Sequence, residues 1–287
     1  MDVRSVLGEW DIQPSKGLGQ NFLVSPAVLD KIVAAAELTR DDIVLEVGAG
    51  LGTLTERLAR YAGHVIAVEL DQRLMPVLHS AMVDVENVTL IQGDILALDP
   101  AELISAASAR HPSPDAQYKV VANLPYYITS AVLRHLLEAR LKPQRMVITV
   151  QREVAERIVA KPGQMSLLAV SVQFYGRARR LFRIQPGSFY PSPSVESAVV
   201  QIDLHAAPPV PVEAADAFFR VVRAGFAQRR KQLRNTLAAG LRRSPAEIEA
   251  TLTAVGVDPR RRAQTLSLEE WGSITCALGD LYDGQGR

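Results

Sequence analysis

Asn123-Leu124-Pro125-Tyr126 stands directly after the apolar run Val120-Val121-Ala122, and these residue types in this order are suited to methylating an exocyclic amine. Such an amine is a poor nucleophile because its lone pair is delocalised into the base ring. An Asn side-chain carbonyl and the backbone carbonyl before or at a proline can accept both amine hydrogens and aim the lone pair, while a neighbouring aromatic ring stacks on the base. The plainer reading is a strand-end turn, since Asn-x-Pro is ordinary turn chemistry and Tyr126-Tyr127 can cap a core. Four residues alone leave that plainer reading ahead.

The elements upstream supply a methyl donor site. Ile43-Val44-Leu45-Glu46-Val47 has the composition of a buried parallel strand and runs into Gly48-Ala49-Gly50-Leu51-Gly52, with a helical segment over Thr53 to Arg60. The GxGxG turn lacks the third glycine spacing of the dinucleotide fingerprint, so a small zwitterionic nucleoside is expected there rather than a pyrophosphate. A second strand, His64 to Glu69, ends in a carboxylate about twenty residues after the glycines, where a ribose diol is gripped. A third, Val88 to Gln92, leads into Gly93-Asp94-Ile95, a carboxylate for an adenine amine with an apolar neighbour for the ring face. A lone glycine motif is weak evidence; glycines, Glu69 and Asp94 at three successive strand ends are not. The donor expected is S-adenosylmethionine. Glu46, one residue before its run ends, is expected to be partly buried.

With these residues in view, the chain resembles the small-subunit ribosomal RNA adenine dimethyltransferases along nearly all its length. The likeness is carried by Leu18-Gly19-Gln20-Asn21-Phe22-Leu23, Glu46 to Gly52, Gly93-Asp94-Ile95, Asn123 to Tyr126, Phe189 to Val199 and Phe226 to Asn235. It implies that Asn21 and Leu23 close over the donor, that Gly48, Glu69 and Asp94 bind it, and that Asn123 touches both donor and target. Gln20, Gly50, Leu70 and Ile95 complete the implied donor-binding set. Asn123, Pro125, Tyr126 and Phe189 form the implied catalytic set, with Tyr126 and Phe189 sandwiching the target adenine. The family commonly has Lys where Ser194 stands and Tyr-Gly where Met165-Ser166 stand; both departures lie outside the donor site and bear on local RNA contacts.

The net charge of +1 looks wrong for a nucleic-acid binder until it is mapped. Ala217 to Ala246 holds no acidic residue but contains Arg220, Arg223, Arg229, Arg230, Lys231, Arg234, Arg242 and Arg243, and Arg177, Arg179, Arg180 and Arg183 form a second cluster. A solvated helix face would mix signs into i,i+4 pairs, which this stretch cannot do. A local basic face on a near-neutral protein suits phosphate binding, and Arg223, Arg229, Arg230, Lys231 and Arg234 are the expected RNA contacts.

Composition excludes other classes. A 287-residue chain that is 48% hydrophobic can bury a full core. The lone cysteine, Cys276, excludes an internal disulfide and is expected to be buried and inert. No apolar stretch approaches the roughly 18 residues of a membrane span, and Met1-Asp2-Val3-Arg4 lacks a signal-peptide core, so a cytoplasmic location is expected. The five histidines, at 64, 79, 111, 135 and 205, show no ligand spacing, and no metal site is expected.

Strands and helices keep alternating: a helix over Thr129 to Glu138, a strand over Arg145 to Val150, a helix over Glu153 to Ala160, then a helix ending at Phe174 with Gly176 as its C-terminal cap. Arg179 to Ile184 and Ser197 to Leu204 read as closing strands. This pattern predicts an α/β fold, a doubly wound Rossmann-like methyltransferase sheet over residues 1–205. Ala206-Ala207-Pro208-Pro209-Val210-Pro211 breaks the composition, and residues 206–287 read as a small all-α RNA-binding domain with capping boxes at Ser244 and Ser267. The resemblance implies dimethylation at N6 of two adjacent adenines near the 3′ end of 16S rRNA, with the immature small ribosomal subunit as partner, no membrane, and a monomeric enzyme. The rivals are a large-subunit rRNA adenine methyltransferase, a DNA adenine methyltransferase, and a ribosome-assembly or transcription-associated binding factor with a vestigial pocket; Phe189 to Ser197 and Gln228 to Asn235 favour the small subunit.

Overall fold

The computed structural model describes residues 2–109, 117–207, 210 and 215–283. Among the described residues nine strands form: β1 (Phe22–Leu23), β2 (Ile43–Val47), β3 (His64–Glu69), β4 (Val88–Gln92), β5 (Tyr118–Asn123), β6 (Arg145–Gln151), β7 (Gly176–Ile184), β8 (Phe189–Tyr190) and β9 (Ser197–Leu204). Seven of them make one sheet in the order β4-β3-β2-β5-β6-β9-β7. The β4-β3-β2-β5-β6 block is parallel, and β9 runs antiparallel to β6. β2 and β3 are buried at every position, as their near-continuous apolar runs require of strands covered on both faces. From β2 the chain winds outward to β3 and β4, then returns to β5 on the other side of β2. That reversal opens a crevice beyond the C-terminal ends of β2 and β5, where α/β sheets bind ligands.

The chain divides into two compact units, residues 1–155 with 178–204, and residues 156–177 with 205–287. The larger part of the second unit begins at residue 205, beside the composition break at 206–211, but this unit also takes in 156–177, which was expected within residues 1–205. Its helix, Leu167–Tyr175, places Val170 and Phe174 in one core with Phe218, Leu237 and Trp271. The Phe174 and Phe218 rings stack 4.6 Å apart. Gly225 is required there, because a Cβ would lie 2.3 Å from the Trp271 ring.

Both capping boxes form. Ser244 caps Pro245–Ala254, and Ser267 Oγ accepts from Glu270 N while Glu270 Oε2 accepts from Ser267 N. Met165-Ser166 has a local explanation: Met165 is a core residue, and Ser166 Oγ caps the following helix by accepting from Ala169 N at 3.2 Å. Gly176 is the C-terminal cap of its helix, its N–H donating to Val172 O, and at φ −165° it is extended and starts β7 directly. One expectation is corrected. Cys276 is exposed, because the helix Leu268–Asp283 turns it away from Trp271, Ile274 and Leu278.

Candidate active site

The glycine loop is pinned before it meets any ligand. Gly48 N and Ala49 N donate to Val68 O at 2.9 and 3.2 Å, and Gly50 N donates to Glu69 Oε2 at 2.8 Å. Gly50 sits at φ +60°, and a Cβ there would lie 3.2 Å from the Phe22 ring, so the position admits only glycine without strain. Glu69 Oε1 accepts from Asp71 N at 2.8 Å. Each carboxylate oxygen thus holds one backbone N–H and keeps capacity for another donor, which is what a vicinal diol offers. Burial pushes the Glu69 carboxyl up, despite the bonds from Asp71 and Gly50 that favour its charged form.

Glu46 is 1% exposed and its Oε2 has no hydrogen-bond partner. Burial, reinforced by the charge of Glu69, pushes its carboxyl up to about 8. Two carboxyl groups thus lie buried close together at the strand ends, the costly arrangement expected where structure yields to function.

Gln20, Asn21, Gly48, Gly50, Glu69, Leu70, Asp94, Ile95 and Asn123 all line one cavity, together with Pro125 and Tyr126. Asp94 Oδ1 accepts from Leu96 N at 2.9 Å, leaving Oδ2 for a base amine. Ile95 is buried, and Leu70 presents an apolar surface that is 41% exposed. A diol acceptor, an amine acceptor and two apolar faces fit an adenosine, and the glycine loop leaves the backbone open beside it. Gln20 lines the wall, but its amide is committed elsewhere: Nε2 donates to Asp71 Oδ2 at 2.8 Å and Oε1 accepts from Ser15 N at 2.7 Å. It anchors the segment over the cavity.

Leu23 and Phe189 are not on this wall. They pair with each other across the small antiparallel sheet of β1 and β8, and both rest in the apolar core, Phe189 at 4% exposure. Large apolar side chains on paired strands are drawn inward, and nothing in their local sequence distinguishes a core Phe from a stacking one. The aromatic side chains on the cavity wall are Phe22, which is buried, Tyr126, and Tyr127, which is 57% exposed.

The Asn123 amide is oriented by a neighbour. Its Nδ2 donates to Asn21 O at 3.0 Å, which leaves Oδ1 as an acceptor. The Pro125 carbonyl is already taken, by Ile128 N at 3.2 Å and the Thr129 hydroxyl at 3.3 Å. Of the two backbone carbonyls the motif offers, the one before the proline, on Leu124, therefore remains for a ligand. Sequence reasoning missed Ser197, whose Oγ lies 2.6 Å from the Tyr126 hydroxyl, because 71 residues separate the two.

In the second unit, Arg223, Arg229, Arg230 and Lys231 are exposed, the last three in the turn between Ala215–Phe226 and Leu233–Leu241. Arg234 differs. It is partly buried and ion-paired to Glu249 Oε2 at 2.6 Å, joining Leu233–Leu241 to Pro245–Ala254. A partner fifteen residues along the chain is invisible to an i,i+4 test; the pair braces the two helices and leaves Arg234 less open than its neighbours. Among the described residues no group of His, Cys, Asp or Glu is placed to hold a metal, and no helix is long and apolar enough to cross a membrane.

A glycine-looped α/β sheet with Glu69 and Asp94 at strand ends and Asn-Leu-Pro-Tyr at the switch point defines an S-adenosylmethionine-dependent methyltransferase. The model of the ribosomal RNA adenine dimethylase family matches residues 13–278, and the chain belongs to that family. It is 48% identical over 272 residues to ribosomal RNA small subunit methyltransferase A of Dehalococcoides mccartyi (strain CBDB1), covering 95% of this chain and 91% of the relative. The crystal structure of the 23S rRNA methyltransferase ErmE superposes with a TM-score of 0.70 at 27% identity, over 90% of this chain and 100% of that one. A dimethyladenosine transferase from Plasmodium falciparum shares the fold, with a TM-score of 0.75 at 22% identity over 90% of this chain and 98% of that one.

Proposed function

We propose that this chain transfers methyl groups from S-adenosylmethionine to N6 of two adjacent adenines near the 3′ end of 16S rRNA, two methyls to each, during maturation of the small ribosomal subunit. The observation that carries the chemistry is the division of acceptors at Asn123-Leu124-Pro125: Asn123 Oδ1 and the Leu124 carbonyl remain available while Asn123 Nδ2 and the Pro125 carbonyl are engaged. Two acceptors match the two hydrogens of an exocyclic amine and turn its lone pair toward the donor. Tyr126 supplies the stacking face. No general base is required, since the amine becomes cationic on attack and then loses its proton readily.

Glu69 takes the donor's ribose hydroxyls, Asp94 its adenine amine, and Leu70 and Ile95 its ring. The exposed cations Arg223, Arg229, Arg230 and Lys231 take phosphates, which need no sequence reading. The enzyme works as a monomer in the cytoplasm on an immature small subunit. The small-subunit choice rests on the 48% identity to a small-subunit methyltransferase, against 27% to a 23S enzyme.

The test supplies labelled donor with small-subunit particles, with 23S rRNA and with duplex DNA in parallel. Label confined to the small-subunit RNA is expected. Label in 23S rRNA alone would move the assignment to the large subunit, and donor binding without transfer to any acceptor would leave a binding factor.

A further inference from the structure

Tyr126 is held at both ends. Its backbone follows β5 in the loop that carries Asn123, and its hydroxyl meets Ser197 Oγ at 2.6 Å. Ser197 opens β9, is 0% exposed, and has its Cα opposite Gln151 of β6 in the antiparallel pair. The serine therefore sits on the rigid sheet, whereas the tyrosine ring stands on a turn whose side chain has two rotatable bonds.

We propose that Ser197 is a positioning residue for methyl transfer, locking the Tyr126 ring in the plane on which the target adenine stacks; this rests on the reading of Tyr126 given above. A stacked platform that swings about its Cα moves the base with it, and a misplacement of about 1 Å at the reacting nitrogen costs on the order of 100-fold in rate. The bond to Ser197 removes that freedom, and burial of Oγ keeps water from substituting for it. The phenol is used here as a tether.

Because the tether acts on geometry, its loss appears in the chemical step. Ser197→Ala is expected to lower the single-turnover rate about tenfold at saturating donor and RNA, with the dissociation constants of both unchanged. Tyr126→Phe removes the same bond from the other side and is expected to match that loss. The double variant should be no slower than either single one, because the two changes delete one interaction. A general packing defect would instead lower the melting temperature and give additive losses. Tyr126→Ala, which removes the platform itself, should be far slower than any of these.

Ser197→Ala or Tyr126→Phe at the parental rate, with Tyr126→Ala impaired, would overturn the positioning role and leave the platform standing. Tyr126→Ala at the parental rate would overturn the platform and the positioning role together. Should Ser197→Ala fail to fold, Tyr126→Phe decides alone, since it leaves the buried strand untouched.

Discussion

The two ends of the parallel sheet treat charge in opposite ways. At the N-terminal end Lys119, Arg145 and Arg179 each meet an anion. Lys119 Nζ reaches Asp42 Oδ2 at 2.9 Å and Glu37 O at 2.7 Å, Arg145 bridges Glu37 and Asp203, and Arg179 adds a second contact to Asp203. Burial alone would raise the Asp203 carboxyl, but bonds from Gln201 and Arg145 hold it below its ordinary value. At the C-terminal end the carboxyls of Glu46 and Glu69 are both pushed up, Glu46 Oε2 lacks a partner, and the Thr149 hydroxyl, buried on β6 opposite Asn123, lacks one too. One end is organised for stability and the other gives up stability for a site, in keeping with the expectation that local rules fail where function resides.

Changes at the two ends should therefore separate rate from stability. The largest effect is expected at Asn123. Asn123→Asp sets a carboxylate against the Asn21 carbonyl oxygen and removes the donor that orients the amide. Turnover should fall by about two orders of magnitude, the scale of one preorganised active-site interaction, with little change in melting temperature or RNA affinity. Single-turnover transfer of labelled methyl checks the rate, and a parental rate would return the motif to an ordinary turn.

Glu69→Ala should weaken donor binding by about 1–3 kcal/mol, since a charged acceptor is lost and Gly50 N and Asp71 N are left without their partner. Calorimetry reads this directly, and unchanged affinity would remove Glu69 from the donor site. At the opposite end, Lys119→Met should cost about 1–2 kcal/mol in urea unfolding by leaving the half-buried Asp42 without its cation. Its transfer rate should not change; a slower enzyme would show that the two ends are coupled.

Glu46 sharpens the comparison through pH. The folded chain holds its proton up to about 8, whereas the unfolded chain releases it near the ordinary value of 4.5. Its contribution is therefore fully present below pH 4.5 and is lost as pH rises to about 8, at up to about 1.4 kcal/mol per pH unit. The raised Glu69 acts with the same sign, and the lowered Asp203 with the opposite sign at lower pH. Glu46→Gln should flatten the decline between pH 5 and 8 in urea titrations. Identical curves for variant and parent would contradict a buried, protonated Glu46.

The smallest effect belongs to the basic turn. Neutralising Arg229 and Arg230 together should reduce the slope of log affinity against log salt by roughly 0.7–0.9 per lost contact, without altering donor binding. An unchanged slope would make the turn a solvated surface.

What the sequence made legible follows from range. Glu69, Asp94 and Asn123 were legible because each ends an apolar strand run and is followed by turn chemistry, both local signals. β1 and β8 were not, since two-residue strands have no periodicity to read. The helix Leu167–Tyr175 was recognised but misassigned: its apolar residues would suit either core, and only the tertiary contacts of Phe174 with Phe218 decide between them. The burial of Phe189, the Glu249 partner of Arg234 and the tether from Ser197 to Tyr126 all depend on residues distant in sequence, which a motif cannot display.

Methyl transfer by this site requires an exocyclic amine held by Asn123 and Leu124, and the most direct measurement is a mass map of the methylated atoms in small-subunit RNA after reaction with the protein and donor. N6,N6-dimethyladenosine at two neighbouring adenines is the expected product, formed about a hundredfold more slowly when Asn123→Asp replaces the parent. Methyl groups on a ring carbon, on a ring nitrogen or on another base would contradict it, because the Asn123 and Leu124 acceptors would then have no amine hydrogens to hold.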